Sequence, residues 1–240
     1  MPDFDKVTAL SLVEGEAVLS NDEPYLAGWL QRVCRVAARH VPAYGVGISL
    51  VNEHSLLMTA AASGESSAAL EELQLTLGEG PALEVCTTRW SVLVPDLGAR
   101  ATTSWTVYAP AARDHGVASV FAFPLRINDD APPLGAFDVY CSEPGELSRE
   151  ERVRAEAFAE AATAGLVSAT ESAGDLLGDL ARGGYWIYQA QGMVMVQLGV
   201  PADEALVRLR AFAFAHDRRL ADVARDVIER RLALEPDQPE

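Results

Sequence analysis

Several residue types are scarce in this chain of 240 residues, and each scarcity excludes a class of protein. Lysine occurs once, at Lys6, and the net charge of −16 at pH 7 excludes broad, non-specific binding to nucleic acid or anionic membranes. No run of about 18 apolar residues lacks charge or proline, so the sequence predicts no membrane-spanning helix. The acidic opening residues differ from a secretion signal, which predicts a cytoplasmic protein.

Cysteine and histidine are also few, and their positions fit no catalytic or metal-binding motif. Cys34, Cys86 and Cys141 lie far apart in apolar surroundings, which predicts buried free thiols and neither a disulfide framework nor a zinc site. The four histidines have no i, i+4 spacing, and the sequence has neither a glycine-rich phosphate loop nor a Gly-x-Ser-x-Gly motif. We therefore expect a protein that is not an enzyme.

Residues 20–165 have the pattern of an α+β domain with one antiparallel sheet and helices packed against it. A helix is predicted from Tyr25 to Val41, where apolar residues recur at helical spacing before Pro42. Shorter helices are predicted at 82–87 and 105–115. Five runs rich in β-branched or aromatic residues, each bounded by turn-forming residues, predict strands at 44–51, 55–62, 91–94, 119–127 and 134–141.

An alanine-rich helix and a glycine-containing stretch follow this domain. Ser148 and Glu151 have the spacing of a capping box, and the alanines after them predict a close helix–helix seam. Glycines at 174, 178, 183 and 184 are expected to interrupt the helix, because each costs about 1 kcal/mol in a helix interior. We therefore expect a domain at 20–165, a helical connection at 166–184 and an all-α three-helix domain at 185–234.

The second helix of the C-terminal domain has an unusual outer face. Helical spacing directs Val207, Arg210, Ala211 and Phe214 away from its packed side. Arginine and phenylalanine spaced i, i+4 on an open face can clamp and stack an unpaired RNA base. Residues 208–231 contain 7 arginines and 4 acidic residues, a local basic patch in an acidic chain. The alternative is that the arginines are solvated and that Phe214 packs on the neighbouring domain.

The C-terminal residues resemble an ANTAR domain, the RNA-binding output module of bacterial transcription antiterminators. The resemblance rests on Ile187–Met195, Leu198–Ala205, Leu209-Arg210 and His216–Ala224. Residues 20–165 more loosely resemble a GAF sensor domain, and the best matching stretches are Leu77–Pro81 and Val92–Leu97. Together the two parts are similar to the GAF–ANTAR regulators of actinobacteria.

The resemblance implies a transcription antitermination regulator in one chain. Its GAF domain would sense a small molecule or a partner such as a sensor kinase, and its ANTAR domains, paired in a homodimer, would bind tandem hairpins of a nascent RNA. Two hairpins per dimer would give useful affinity from weak single contacts. The resemblance and the open face together give six expected RNA contacts: Arg210, Gln191, Gly192, Phe214, Arg218 and Arg219. Gln191 stands where the family often has lysine, which removes a phosphate-attracting charge.

A GAF pocket, by the same resemblance, lies on one face of the sheet beneath the connecting helices, and its ligand cannot be named from the sequence. Four aromatic residues are expected to line it: Trp105, Tyr108, Phe121 and Phe123. Since Phe121 and Phe123 alternate along one strand, the alternative is that they fill the core.

Two other functions compete with antitermination. One is a signalling adaptor whose C-terminal helices bind a protein partner without RNA. The other is a ligand-binding GAF protein whose ANTAR part has lost RNA affinity, which the missing lysine at Gln191 and the pair Gly183-Gly184 would allow.

Overall fold

The computed structural model describes residues 4–17, 25–51, 57–100, 104–172 and 176–234. A five-stranded antiparallel sheet forms the centre of the N-terminal domain, in the spatial order β2-β1-β5-β4-β3. The strands are β1 (Gly45–Val51), β2 (Leu57–Ala62), β3 (Val92–Val94), β4 (Ser119–Leu125) and β5 (Gly135–Cys141). The α+β class is confirmed, and each predicted strand lies within a few residues of an observed one.

Helices cover both faces of this sheet. The first face carries α1 (Lys6–Glu14), α2 (Tyr25–His40) and α7 (Arg149–Ser172), and the second carries α3 (Glu65–Leu77), α4 (Pro81–Thr88) and α6 (Tyr108–Asp114). A short helix, α5 (Leu97–Arg100), follows β3. The C-terminal helices are α8 (Leu176–Leu198), α9 (Ala202–Ala215) and α10 (Leu220–Ile228).

The alanines of α7 form the predicted seam on the first face of the sheet. Ala155, Ala161 and Ala162 are fully buried there. Gly165 lies so close to Trp29 of α2 that an added Cβ would stand 2.1 Å from the indole Cδ1. The indole Nε1 donates to the carbonyl of Ala161 at 3.2 Å, which fixes the seam.

The predicted capping box starts α7. The backbone N–H of Ser148 donates to Glu151 Oε2 at 2.7 Å, and the N–H of Glu151 donates to Ser148 Oγ at 3.3 Å. Two otherwise unpaired donors of the first helical turn are therefore satisfied.

The second face of the sheet shares one continuous core with the C-terminal helices. Leu70 and Leu75 of α3 belong to the same buried cluster as Leu209 of α9 and Leu220 of α10. Helix α3 therefore packs on the sheet with one side and on the C-terminal helices with another. This helix was not among those predicted from the sequence.

The predicted interruption at Gly183-Gly184 is wrong. Helix α8 runs without a break from Leu176 to Leu198, and it includes Gly178, Gly183 and Gly184. Tertiary packing of the later turns, where Ile187, Ala190 and Val194 are buried, overrides the weak helix propensity of glycine. The predicted break at Gly174 lies outside the described residues.

Candidate nucleic-acid interface and sensor core

The three C-terminal helices form a compact unit held by small apolar side chains. Ala190, Ala205, Leu209, Val223 and Ala224 are fully buried between α8, α9 and α10. The three alanines among them allow the helix backbones to approach closely. The unit therefore presents its remaining helix faces either to solvent or to the N-terminal domain.

The outer face of α9 is open to solvent at three of the four expected positions. Val207 is 58% exposed, Phe214 is 52% exposed, and Ala211 is exposed as well. An exposed phenylalanine ring offers a flat apolar surface on which a nucleic-acid base could stack.

Arg210 departs from that open face. It is half-buried, and its guanidinium lies over Gly78 at the end of α3, where an added Cβ would stand 2.4 Å from Nη1. Burial lowers the pKa of the guanidinium, and Nε has no hydrogen-bond partner among the described residues. Helical spacing indicated which side of α9 carries Arg210 but could not show that α3 covers it.

Gln191 and Gly192 lie side by side on α8 but differ in what they contact. The Nε2 of Gln191 donates to the carbonyl of Ala202 at 2.6 Å and so holds the start of α9. Gly192 is exposed, and no atom lies within 4 Å of a Cβ built on it. It lines a groove of about 530 Å³ together with Met193, Val196 and Val227.

Arg218 and Arg219, which follow α9, also differ. Arg218 donates from Nη2 to Asp226 Oδ2 at 2.6 Å, and Arg231 donates to the other oxygen of the same carboxylate at 2.8 Å. The two arginines lower the pKa of Asp226 by hydrogen bonding. Arg219 is exposed and faces the carboxylate of Glu72 on α3. Of the six expected RNA contacts, Gly192, Phe214 and Arg219 are therefore exposed, whereas Gln191, Arg210 and Arg218 are half-buried.

The four aromatic residues expected in a single pocket lie on opposite faces of the sheet. Phe121 and Phe123 point to the first face and pack in the core under α2 and α7. Trp105 and Tyr108 belong to the core on the second face, where their rings meet edge to face at 5.6 Å between centroids. The expectation of one shared pocket is therefore wrong, because Phe121 and Phe123 share the first face of the sheet, whereas α6 and the residues before it pack on the second face.

A cluster of buried polar side chains lies on the second face, beneath α3. Glu71 and Gln74 of α3 meet Asp138 and Tyr140 of β5, and all four side chains are fully buried. The Tyr140 hydroxyl donates to Glu71 Oε1 at 2.6 Å and lies 3.3 Å from Asp138 Oδ2. Gln74 Nε2 donates to Asp138 Oδ2 at 2.7 Å, and Ser49 of β1 donates to Glu71 Oε2. We call these five residues the carboxyl cluster.

The two acids of the carboxyl cluster disfavour each other's charged form. Burial, together with the neighbouring Asp138, raises the pKa of Glu71 well above its ordinary value. Burial raises the pKa of Asp138 from 3.8 to about 7. No Lys, Arg or His side chain in the described ranges pairs with either acid. Near neutral pH the pair therefore retains a shared proton.

Two polar atoms beside these acids remain unpaired within the described part of the chain. They are Asp138 Oδ1 and the hydroxyl of Tyr108, and both residues are fully buried. An unpaired buried polar atom is costly, and such atoms are uncommon in folded proteins. One feature of the sequence does point to this site, since Asp138 interrupts an otherwise apolar strand.

The cysteines are free, but Cys86 is only half-buried, whereas Cys34 and Cys141 are buried as expected. Burial, with a smaller contribution from Asp138, raises the pKa of the Cys86 thiol to about 12. A thiol of that pKa is protonated near neutral pH and is a poor nucleophile.

These features define a class of protein in which an α+β domain with a buried polar site shares its core with a helical module. The chain belongs to the GAF domain family, whose model matches residues 25–167, and it carries an ANTAR domain at residues 185–228. The expectation of a GAF domain followed by an ANTAR domain is therefore confirmed. GAF and ANTAR domains are regulatory modules, and ANTAR domains bind RNA.

Solved structures agree with this assignment at the level of the fold. The GAF domain of a phosphoenolpyruvate-protein phosphotransferase from Coxiella burnetii has a TM-score of 0.53 and 18% identity, over 70% of this chain and 95% of that one. The corresponding domain from Acinetobacter has a TM-score of 0.52 and 11% identity, over 70% and 93%. No curated protein matches the chain. None of the helices in the described ranges is both long and apolar enough to cross a membrane.

Proposed function

We propose that this protein is an RNA-binding transcription antitermination regulator. Its GAF domain senses a small molecule or a protein partner, and its ANTAR domains, paired in a homodimer, bind tandem hairpins of a nascent RNA. Such a regulator acts on nascent RNA in the cytoplasm and is not an enzyme. The ANTAR match over residues 185–228 is the observation that carries the proposal.

The surface of the ANTAR domain supports RNA recognition by a limited set of contacts. The exposed ring of Phe214 offers a stacking surface, and the exposed Arg219 offers a charge close to it in sequence. The chain as a whole carries a net charge of −16, so general attraction to phosphate is weak. Affinity then has to come from a few specific contacts made twice, once by each protomer.

The position of Arg210 supports a regulated interaction. Its guanidinium lies against the end of α3 and is not displayed on the outer face of α9. Full engagement of RNA by Arg210 therefore requires movement between α9 and α3. The GAF domain can control that movement because α3 belongs to it.

The proposal is tested by a gel-shift titration of the full chain against an RNA with two tandem loop-bearing hairpins and against a one-hairpin control. Arg210→Ala should weaken binding to the tandem RNA by about 1–3 kcal/mol. The matched control is Arg152→Ala, since Arg152 is an exposed arginine of α7 paired with Glu156 at 2.9 Å. Tandem-specific binding that Arg152→Ala preserves would support the proposal. If the chain binds neither RNA at moderate salt but does bind a protein partner, the adaptor function would be favoured.

A further inference from the structure

The carboxyl cluster contains two buried acids that no basic side chain of the described residues neutralises. Glu71 and Asp138 are fully buried, and their hydrogen bonds come from Ser49, Gln74 and Tyr140, which are all neutral donors. A buried carboxylate is stable only with a cation or a proton close to it. The cluster is therefore built to take up one positive charge.

The unpaired atoms of the site indicate how that charge would be recognised. Asp138 Oδ1 is a buried acceptor without a donor among the described residues, although Oδ2 of the same carboxyl group receives Gln74. The Tyr108 hydroxyl, also buried, lies near the same acid and close to the hydroxyl of Tyr140. A group that brings both a positive charge and N–H donors would satisfy Asp138 Oδ1.

The segment that follows α3 contains two glycines in backbone conformations that other residues rarely adopt. Helices α3 and α4 are joined by Gly78-Glu79-Gly80, in which both glycines have positive φ angles, 70° and 140°. Glu79 Oε1 accepts from the backbone N–H groups of Val107 and Tyr108 at 2.7 and 3.0 Å, so this linker also holds the start of α6. A change at the linker would move α3, α4 and α6 relative to the sheet.

We infer that the carboxyl cluster is the ligand site of the GAF domain and that it binds the protonated amine or amidine group of a small molecule, with Asp138 and Glu71 as acceptors. This inference rests on the proposed sensory function and names the chemical class of the signal. The cation takes the place of the proton that the two acids share, and it pairs Asp138 Oδ1. Because Glu71 and Gln74 both lie on α3, the bound cation acts on the helix that covers Arg210.

Four small probes separate charge from hydrogen bonding. Methylammonium and acetamidinium carry a positive charge and N–H donors, acetamide is the neutral counterpart of acetamidinium, and tetramethylammonium is a cation without N–H donors. Each is titrated into the full chain by calorimetry in phosphate and in Hepes buffers at constant ionic strength, without RNA. Tris and imidazole buffers are avoided because both are cations with N–H donors.

The expected result is binding of methylammonium or acetamidinium only, with release of a proton. If one group with a pKa of about 7 must lose its proton, affinity should rise about tenfold between pH 6 and pH 8. Exposed acids can also attract cations, but near neutral pH they release no proton. Asp138→Asn and Glu71→Gln should each abolish the proton-linked binding, whereas Asp129→Asn, at an exposed acid, should leave it unchanged.

Equal binding of all cations would overturn the inference, and so would binding without proton release. The third contrary result is that neither methylammonium nor acetamidinium binds, while the stability of the chain still changes with pH. The last result would leave a proton as the only occupant of the cluster. Proton release is measured on the wild-type chain, so the test stands even if both variants fail to fold. RNA is absent from these titrations, and failure of the RNA proposal would appear separately in the gel shift.

Discussion

Glu71 and Glu72 are neighbours on α3, yet their carboxyl groups reach two different domains. Glu71 is fully buried above the sheet, where it accepts from Ser49 and Tyr140. Glu72 is half-buried and lies by the start of α10, where Arg219 and the backbone N–H groups of Leu220 and Ala221 favour its charged form. Successive residues of a helix point in different directions, so one helix serves both the buried acids of the GAF domain and the ANTAR domain. A signal at the first can therefore alter the second by a small shift of α3.

Replacement of Glu72 should loosen the start of α10. Its carboxylate lies by the N-terminus of α10 and can act there as a cap, since Arg219 at the cap position makes no side-chain capping hydrogen bond. Loss of such a cap costs about 1 kcal/mol. Glu72→Ala should therefore lower the stability of the chain by about that amount, and hydrogen exchange should speed up at the amides of Leu220 and Ala221.

The control for this change is Glu65→Ala, because Glu65 is an exposed acid in the first turn of the same helix. It should leave exchange at α10 unchanged. Faster exchange throughout α3 in both variants would show that the substitutions weaken α3 itself and that the contact of Glu72 with α10 is not the cause. Glu72→Gln, which retains an acceptor oxygen, should recover part of the protection.

Replacement of Gly78 should displace Arg210 from α3. An alanine there has to adopt a φ of 70°, at a cost of about 1–2 kcal/mol, and its Cβ would stand 2.4 Å from Arg210 Nη1. The end of a flexible arginine side chain can move away, so the displaced guanidinium becomes accessible. Under the proposed function, Gly78→Ala should tighten binding to the tandem hairpin RNA in a gel shift.

Gly116→Ala is the matched control for Gly78→Ala. Gly116 has a φ of 83°, and no heavy atom lies within 4 Å of a Cβ built on it. It incurs the same kind of backbone strain without the contact with Arg210, and it should leave RNA affinity unchanged. Equal affinities for both variants and the wild type would mean that the contact between Gly78 and Arg210 does not restrict RNA binding.

Those parts of the fold that have a local cause could be predicted from the sequence. The five strands follow from β-branched and aromatic runs between turn residues, and the start of α7 follows from the spacing of Ser148 and Glu151. Phe121 and Phe123 alternate along β4, which indicated that they share one face of the sheet. The sequence could not show that Trp105 and Tyr108 lie on the other face, because that depends on where the chain crosses the sheet.

The sequence could not predict contacts between segments that lie far apart along the chain. Helix α3 has ordinary helix-forming residues, but its spacing alone does not show that it lies between two domains. The carboxyl cluster brings Glu71 together with residues of β5 that follow it by more than 60 positions. The contact between Gly78 and Arg210 spans more than 130 positions. Both depend on tertiary packing, as does the helical state of Gly183 and Gly184.

The carboxyl cluster should make the chain less stable as the pH rises from about 4 to about 7. An unfolded Asp138 ionises near its ordinary pKa of 3.8, whereas the folded carboxyl group keeps its proton until about pH 7. The folded chain therefore binds more protons than the unfolded chain in this window, and its stability falls with increasing pH. One proton gives a slope of up to about 1.4 kcal/mol per pH unit.

Asp138→Asn removes this proton, and its effect is measured as the difference in unfolding free energy from the wild type at each pH. The variant should become more stable relative to the wild type as the pH rises from 4 to 7, and the difference should then remain constant. Asp129→Asn, at a side chain that is 92% exposed, should give a nearly flat difference. A flat difference for Asp138→Asn as well would show that Asp138 is ionised throughout the window.

Phe214 provides a test of RNA stacking that is independent of Arg210 and of the GAF domain. Since the ring is 52% exposed, Phe214→Ala should hardly change the melting temperature. Stacking of one base on an aromatic ring is worth about 1–3 kcal/mol, so the variant should bind tandem hairpin RNA about 5–150-fold more weakly. Val207→Ala, at a similarly exposed apolar position of α9, should keep wild-type affinity because an aliphatic side chain provides no stacking surface. Phe214→Trp should preserve binding, and its fluorescence should be quenched when a base stacks on it. Equal affinities for Phe214→Ala and Val207→Ala would show that this face of α9 does not contact the RNA.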